Sequence, residues 1–452
     1  MPASPPLLPF LDDLRRRSQL NQCTHEQELA AHLAGGRRRV YVGFDPTADS
    51  LTIGNLVPII ALRRIQLAGH IPVVVMGGGT GLIGDPSGKT AERTLRSREE
   101  VDANVRSQLR IFERVLDFKA AGNAPLVFNN ADWLGRLSYL DALRDIGKHF
   151  SVNMMIQKDS VKERLHNRDQ GISYTEFSYM ILQAYDFYHL WKEHGVTMQM
   201  GGSDQFGNIV VGIDLIRRRE HGEAAAAAAA PAFGLTWPLV TKADGGKFGK
   251  TESGAIWLTA KRDEKDTSPS RTSPFAFYQF WLNTADADVV KFLNTFSFLS
   301  HEQIADLAAR HEKDPGKREA HAALAEHMTA LIHGPEELEK VKQATRALFA
   351  KPAAEGEDRP FVLPEDLLAS APTTSHDRTL LAGAGMGLVD LLAQTSLAKS
   401  KTEARTQLAQ NAISVNGRLA AVDARVSEAT LLPGGIIALR RGKKTWHITR
   451  WS

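Results

Sequence analysis

The sequence predicts an α/β protein: a doubly wound parallel sheet first, a helical segment next, and a small basic module last. Three observations carry this. Residues 40–135 alternate apolar strand patterns with helical ones. Residues 274–350 hold helical periodicity throughout. Residues 387–452 carry a net charge of +6, while the rest of the chain sums to −3. At 452 residues, the chain has room for about three domains.

The first strand is read in "RRVYVGF", and a helix follows over "GNLVPIIALRRIQLAGH", ending at Gly69. "IPVVVMGGG" is an apolar run bounded by glycines, the form of a strand buried on both faces. Ser97 and Glu100 have capping-box spacing, and Val101, Val105, Leu109, Phe112 and Leu116 then fall on one helical face. "APLVFNN" is another strand, and residues 173–191 a helix. "VTMQMGGSDQFG" reads as strand, glycine turn and helix start. Seven alanines at 224–230 suggest a low-complexity insertion, and the charged, Ser/Pro-rich stretch 261–274 a surface excursion.

Composition narrows the function classes. With one cysteine, Cys23, neither an internal disulfide nor a cysteine-rich zinc site can form. This fits a reducing cytoplasm. No run of 18 apolar residues is present, so no membrane span is expected, and the N-terminus lacks the order of a signal peptide. The basic module suggests an anionic partner, most simply nucleic acid; a solvated charged face is the other reading.

Four stretches carry chemistry. On a helix, Tyr179, Gln183 and Asp186 share one face, a polar stripe without Lys, Glu or Arg beside Phe177, Met180, Ile181 and Leu182. Such a stripe points to a pocket more readily than to solvent. "GGTGLIGDPSGKTAER" follows a buried strand but lacks the spacing of a Walker loop; Asp85, Lys89 and Arg93 give it a mixed-charge rim. In "GGSDQFGN", Asp204 and Gln205 stand where an acid can accept ribose hydroxyls or simply cap a helix. "KFGKT" puts Lys247 and Lys250 in a glycine loop, able to meet charge developing on a phosphate, or lying on an ordinary surface loop.

Together, in this order, "YVGFDPTADSLTIGNL", "GLIGDPSGK", "YTEFSYMILQAYDF", "GGSDQFGN" and "KFGKT" resemble the bacterial tyrosyl-tRNA synthetases, from about residue 35 to the C-terminus. The resemblance implies a Rossmann-like catalytic domain with a dimer-forming insertion at 1–240, a catalytic loop and surface insertion at 241–273, and an α-helical domain at 274–350. It further implies a linker at 351–385 and a small α+β S4-like RNA-binding domain at 386–452. The implied enzyme is a homodimeric, cytoplasmic tyrosine–tRNA ligase. It joins tyrosine to ATP, then passes it to the terminal adenosine of tRNA(Tyr), with Mg²⁺ accompanying ATP and no resident metal site expected.

Residue by residue, the resemblance places the substrate hydroxyl on Tyr41 and Asp186 and its amino group on Asp85, Tyr179 and Gln183. ATP falls on Gly43, Asp45, Thr47, Thr52, Gly54, Asn55, Gly202, Asp204, Gln205 and Lys250. Lys247, Lys250, Thr47, Lys89 and Arg93 become the catalytic candidates. The first nucleotide motif, usually written HIGH, here reads Thr52-Ile53-Gly54-Asn55. The glycine and a nucleotide-facing donor are kept, so the site is expected to work with redistributed phosphate contacts. In the tail, Lys399, Lys401, Arg405, Arg440, Arg441, Lys443 and Lys444 are the RNA-binding candidates. Two alternatives stay open: a tryptophanyl-tRNA synthetase, which normally lacks such a tail and the Tyr/Asp pair, and a catalytically inactive relative that only binds RNA.

Overall fold

The computed structural model describes residues 9–84, 96–158, 161–162, 172–221, 232–243, 245–246, 248–251, 254–261, 266–349, 361, 363, 371–442 and 445–452. The chain divides into two compact units. One comprises Met1–Thr272 with Gln279–His333, the other Ser273–Tyr278 with Gly334–Ser452.

The first unit is built on a six-stranded sheet of β1 (Gln22–Cys23), β2 (Arg39–Phe44), β3 (Ile71–Met76), β4 (Leu126–Asn129), β5 (Val196–Gly202) and β6 (Phe233–Trp237). Its order is β1-β6-β5-β2-β3-β4. Every pairing is parallel except β1 with β6. From β2 the chain winds outward through β3 and β4, then returns to β2's other side as β5 and β6. The order therefore reverses between β2 and β5, where open α/β sheets leave a crevice beyond their carboxyl ends. Here β2 and β5 pair only as far as Tyr41 opposite Gln199.

The covering helices follow from local sequence. Ser97 accepts from the amide of Glu100 at 3.2 Å, and Glu100 accepts from that of Ser97 at 3.0 Å, which starts the Arg98–Val115 helix. Its buried face runs through Val101, Val105, Gln108, Ile111, Phe112 and Val115, whereas Leu109 is only half-buried. Gln108 displaces the expected leucine because its amide donates to the carbonyl of Ala48 at 2.7 Å, which satisfies a polar group inside. The Tyr174–His194 helix ends on Gly195 at φ +59°, where a side chain would be strained.

The helices Asp286–Phe296, His301–Lys313 and Glu319–His333 complete this unit. Arg64, 5% exposed, ties the sheet's Leu56–Leu67 helix to them by donating to the carbonyls of Asn294, Thr295 and Ser297 and to Asp13. Buried guanidinium groups are tolerated only when fully hydrogen-bonded in this way.

In the 261–274 excursion, residues 261 and 266–274 are described; Lys261, Thr267 and Pro269 are exposed, while Arg271, 10% exposed, is clamped by Asp266 and Asp49, each at 2.8 Å. One expectation needs correction. The stretch read as linker to residue 385 contains the strand Thr373–His376, which pairs in parallel with Thr445–Trp451. It forms one edge of the second unit's five-stranded sheet, with Arg418–Leu419, Ile413–Val415, Ile436–Arg441 and Thr445–Trp451. The helices Leu388–Leu392 and Lys401–Ala409 pack on that sheet through Leu388, Leu391, Leu392, Ala404 and Leu408. Among the described residues no helix is long and apolar enough to cross a membrane. The alanine run lies outside the described residues.

Candidate active site

A cavity of about 400 Å³ opens at the β2–β5 reversal. It gathers Tyr41, Gly43, Asp45, Thr47, Gly54, Asn55, Tyr179, Gln183, Asp186, Gly202, Asp204 and Gln205, from segments far apart in sequence. Asp85, Lys89, Arg93 and Lys247 lie outside the described residues.

The inner end is a closed polar ring. Asp186 accepts from Nδ2 of Asn130 at 2.8 Å and from Nε1 of Trp133 at 2.7 Å. Asn130 also donates to Oγ1 of Thr80 at 3.0 Å, and Thr80 donates to Oδ1 of Asp45 at 2.9 Å. The Tyr179 hydroxyl donates to Oδ2 of Asp45 at 3.0 Å. Tyr179 and Asp186 then close the ring through their shared helix. Burial pushes the Asp186 carboxyl up to about 7; the Asn130 and Trp133 donors oppose this, and the charge of Asp45 adds to it. Burial, with the Asp186 charge second, pushes the Tyr41 phenol upward too, so it stays a donor. Its hydroxyl and the Oε1 of Gln199 are buried without a hydrogen-bond partner among the described residues. Buried polar atoms left unpaired cost about 1–3 kcal/mol each, so they are characteristic of a ligand seat.

Gln183 sits in a second net: its amide donates to Oε1 of Gln205 at 3.2 Å and its oxygen accepts from Asn208 at 3.1 Å. Asn130, Trp133, Thr80, Gln199 and Asn208 escaped sequence reasoning. They lie on other strands and turns, and no periodic pattern connects them to the Tyr179–Asp186 stripe.

The outer end carries the glycines. A Cβ placed on Gly43 would meet no atom within 4 Å, and one on Gly54 only Oγ1 of Thr52 at 3.6 Å. Neither has a positive φ. These glycines leave room for something in the cavity; the backbone does not need them to bend. Gly202 precedes the turn Ser203–Gln205, which leads into the Phe206–His221 helix, and Asp204 is exposed on the rim.

Thr52 does not line the cavity. Its amide and hydroxyl both donate to Oδ1 of Asn55, at 3.0 and 2.9 Å. Because both partners are donors, the oxygen of the Asn55 amide must face them, and its NH₂ is left for the cavity. The same turn is fastened to the segment after the lysine loop: Ile53 donates to the carbonyl of Ile256 at 2.8 Å and Leu258 to that of Leu51 at 2.9 Å. Within the loop, Lys250–Thr251 pairs with Gly254–Ala255 as a short hairpin. Phe248 packs among Phe280, Trp281, Phe292 and Phe296, and Gly249, at φ +81°, lies where a Cβ would strike Ile53. The centre of the glycine loop is thus anchored, not free.

In the second unit, Lys399, Lys401 and Arg405 are exposed, with Lys401 2.6 Å from Asp390. Arg440 is not a surface cation: it is 4% exposed, its guanidinium 5.3 Å from the ring centre of Trp446, because its strand is covered on both faces. Arg441 is half-buried and donates to the carbonyl of Leu397 at 2.7 Å. Lys443 and Lys444 lie outside the described residues.

Comparison with known proteins agrees with this geometry. Residues 34–350 match the family described as tRNA synthetases class I (W and Y), and residues 366–449 match the tyrosine–tRNA ligase SYY-like C-terminal domain. The chain is 45% identical to tyrosine–tRNA ligase 1 of Bacillus subtilis, over 98% of this chain and 99% of that one. It is also 45% identical to the tyrosine–tRNA ligase of Aliivibrio fischeri, covering 98% of each. A C-terminally truncated mitochondrial tyrosyl-tRNA synthetase of Aspergillus nidulans superposes with a TM-score of 0.66 at 29% identity, over 76% of this chain and 95% of the other. The first match admits tryptophan or tyrosine enzymes, and the tail and the full-length relatives decide between them: the chain belongs to the tyrosine–tRNA ligases of the class I tRNA synthetases.

Proposed function

We propose that the cavity makes tyrosyl-adenylate from tyrosine and ATP, and that the tyrosine is then transferred to the 3′-terminal adenosine of tRNA(Tyr). The observation that carries this is the buried Tyr41 hydroxyl, without a hydrogen-bond partner among the described residues, near the Asp186 carboxylate. A phenol can accept from the first and donate to the second. Phenylalanine would leave both unpaired, and tyrosyl-tRNA synthetases are the standard illustration of discrimination by that means.

In this reading Tyr179, Gln183 and Asp85 hold the substrate ammonium. The substrate carboxylate attacks the α-phosphate of ATP in line, the bond to the β-phosphate oxygen breaks, and pyrophosphate leaves. No protein nucleophile is needed, so the chain contributes position and charge. Gly43, Gly54 and Gly202 admit the nucleotide. Asp204 and Gln205 accept and donate at its ribose, and Thr47 and the Asn55 NH₂ at its phosphates. Lys247, Lys250, Lys89 and Arg93 meet the charge that develops. Mg²⁺ bound with ATP would neutralise phosphate charge, and it would be held mainly by the phosphates, since both oxygens of Asp45 already accept from Thr80 and Tyr179.

Tyr139, Leu140, Leu143, Val152 and Tyr174 are 65, 75, 45, 58 and 61% exposed, and the Tyr139 and Tyr174 phenols interact. Large exposed apolar surface of this kind supports a homodimer across residues 139–174. Sedimentation should give two chains per particle; a monomer at micromolar concentration would rule the dimer out. The absence of a membrane-crossing helix among the described residues agrees with a cytoplasmic enzyme.

Asp186→Asn should lower kcat/KM for tyrosine in ATP–pyrophosphate exchange by about two orders of magnitude. This is the worth of a hydrogen bond to a charged group, on the order of 3 kcal/mol. Unchanged exchange would remove Asp186 from the pocket.

Thr52→Ala should slow adenylate formation only a few-fold, because it loses one neutral contact of about 0.5–1.5 kcal/mol. Asn55→Ala should cost about tenfold or more, because it loses the donor itself. Equal losses in pre-steady-state activation would make Thr52 a direct contact.

Lys399→Glu combined with Arg405→Glu should weaken tRNA charging and leave exchange intact. Equal loss of both activities would place these cations outside tRNA binding.

A further inference from the structure

Far along the chain from the nucleotide motifs, Asp286, His311 and His321 converge at the meeting of three helices. One ligand atom from each lies within 4.8 Å of the others. Asp286 opens the Asp286–Phe296 helix, His311 sits near the end of His301–Lys313, and His321 lies in the first turn of Glu319–His333. The His321 side chain is 0% exposed; its ring nitrogens, like Nδ1 of His311, make no hydrogen bond of good geometry among the described residues, and the only main-chain group acting on the His321 ring is that of Thr284. Nε2 of His321 is 3.3 Å from Oδ1 of Asp286 without hydrogen-bond geometry. The two imidazoles meet edge to face, with centroids 5.2 Å apart at 64°.

Fully buried, unpaired imidazole nitrogens are uncommon, because each costs about as much as a lost hydrogen bond. The chemistry present suits a borderline divalent cation. Nε2 of His311 lies 3.2 Å from the main-chain carbonyl of Asp286, and donation there fixes the tautomer that leaves the Nδ1 lone pair free. Such an outer contact commonly orients a metal-binding histidine. Asp286 is 58% exposed and leaves a path to solvent.

The geometry points to a zinc-type cation site formed by Asp286, His311 and His321, with water completing the coordination. Ligand atoms about 2.0–2.1 Å from a tetrahedral zinc stand roughly 3.3 Å apart. Nε2 of His321 and Oδ1 of Asp286 are already 3.3 Å apart, so it is the wider spacing within the trio, up to 4.8 Å, that closes on binding. Arg318 is the competing charge: its Nη1 is 3.8 Å from Oδ1 of Asp286, and its Nη2 donates to the Thr284 carbonyl at 3.3 Å. A divalent ion replaces that single positive charge with two. The site clips together three helices whose ligands come from separate segments, so its consequence is stability of this helical layer; the aminoacylation chemistry is not routed through it.

The test uses the full chain without an affinity tag, stripped by a chelator and dialysed against zinc sulfate. One zinc should bind per chain and raise the thermal midpoint. Cobalt(II) in its place should give the visible bands of a four-coordinate site with nitrogen ligands. His311→Gln and Asp286→Asn, both at positions tolerant of polar groups, should each weaken zinc binding at least about tenfold and abolish the thermal shift. Tyrosine-dependent exchange, measured with magnesium restored, should be unaffected by stripping and by either substitution, which shows that the variants are folded. Less than one zinc per chain at saturation, or a zinc affinity that neither substitution changes, overturns the site and leaves an adventitious ion only.

Discussion

A carboxylate held in a dry place is the constraint from which the cavity is built. Asp186 has lost nearly all its water, and two N–H donors, from Asn130 and Trp133, stand in for it. Each of those donors is fixed in turn. Asn130 accepts from the amide of Gly79 at 2.7 Å while donating to Thr80, and Trp133 stacks on His189 with centroids 4.4 Å apart. Thr80 passes the constraint to Asp45, and Asp45 to Tyr179, seven residues from Asp186 on one helix. Sheet, β3–β4 turns and helix are locked by one ring. A polar network of this kind specifies geometry only when every member is satisfied.

The ring also explains the balance of charge. Buried Asp186 lies close to half-buried Asp45, whose charge makes ionisation of Asp186 harder still. The Asn130 and Trp133 donors work against that cost. The Tyr41 hydroxyl, without a partner among the described residues, is the position at which a ligand can relieve it. At the other end of the cavity the design is different. There glycines withhold side chains, and Thr52 directs the amide of Asn55 without touching the cavity itself.

Much of this was legible in the sequence because periodicity reports faces. Tyr179, Gln183 and Asp186 recur at helical spacing without solvating charges, and all three line the cavity. The βαβ alternation points to the sheet, and the sheet order puts the crevice at β2 and β5. What stayed hidden depends on tertiary pairing. Asn130 and Trp133 look like ordinary turn and helix residues until β4 is laid beside β3. Thr373–His376 lacks apolar residues because it is an edge strand, so it reads as linker. Arg440 reads as a surface cation until its strand is found buried on both sides. Gln108 replaces an expected leucine because a loop carbonyl needed a donor.

The most direct test of the ring is the titration of Asp186 itself, followed by carbon NMR of the labelled carboxyl in the free protein. Its folded pKa lies above the ordinary 3.8, at about 7, so the carboxyl should be protonated below neutrality and ionise near pH 7. Because burial raises this pKa, Asp186 contributes stability that is fully present below about pH 4 and is lost as pH rises through 7. Saturating tyrosine, by donating its phenol proton, should draw the titration downward. A carboxyl that titrates near 4 in the free protein, unmoved by tyrosine, would contradict the account.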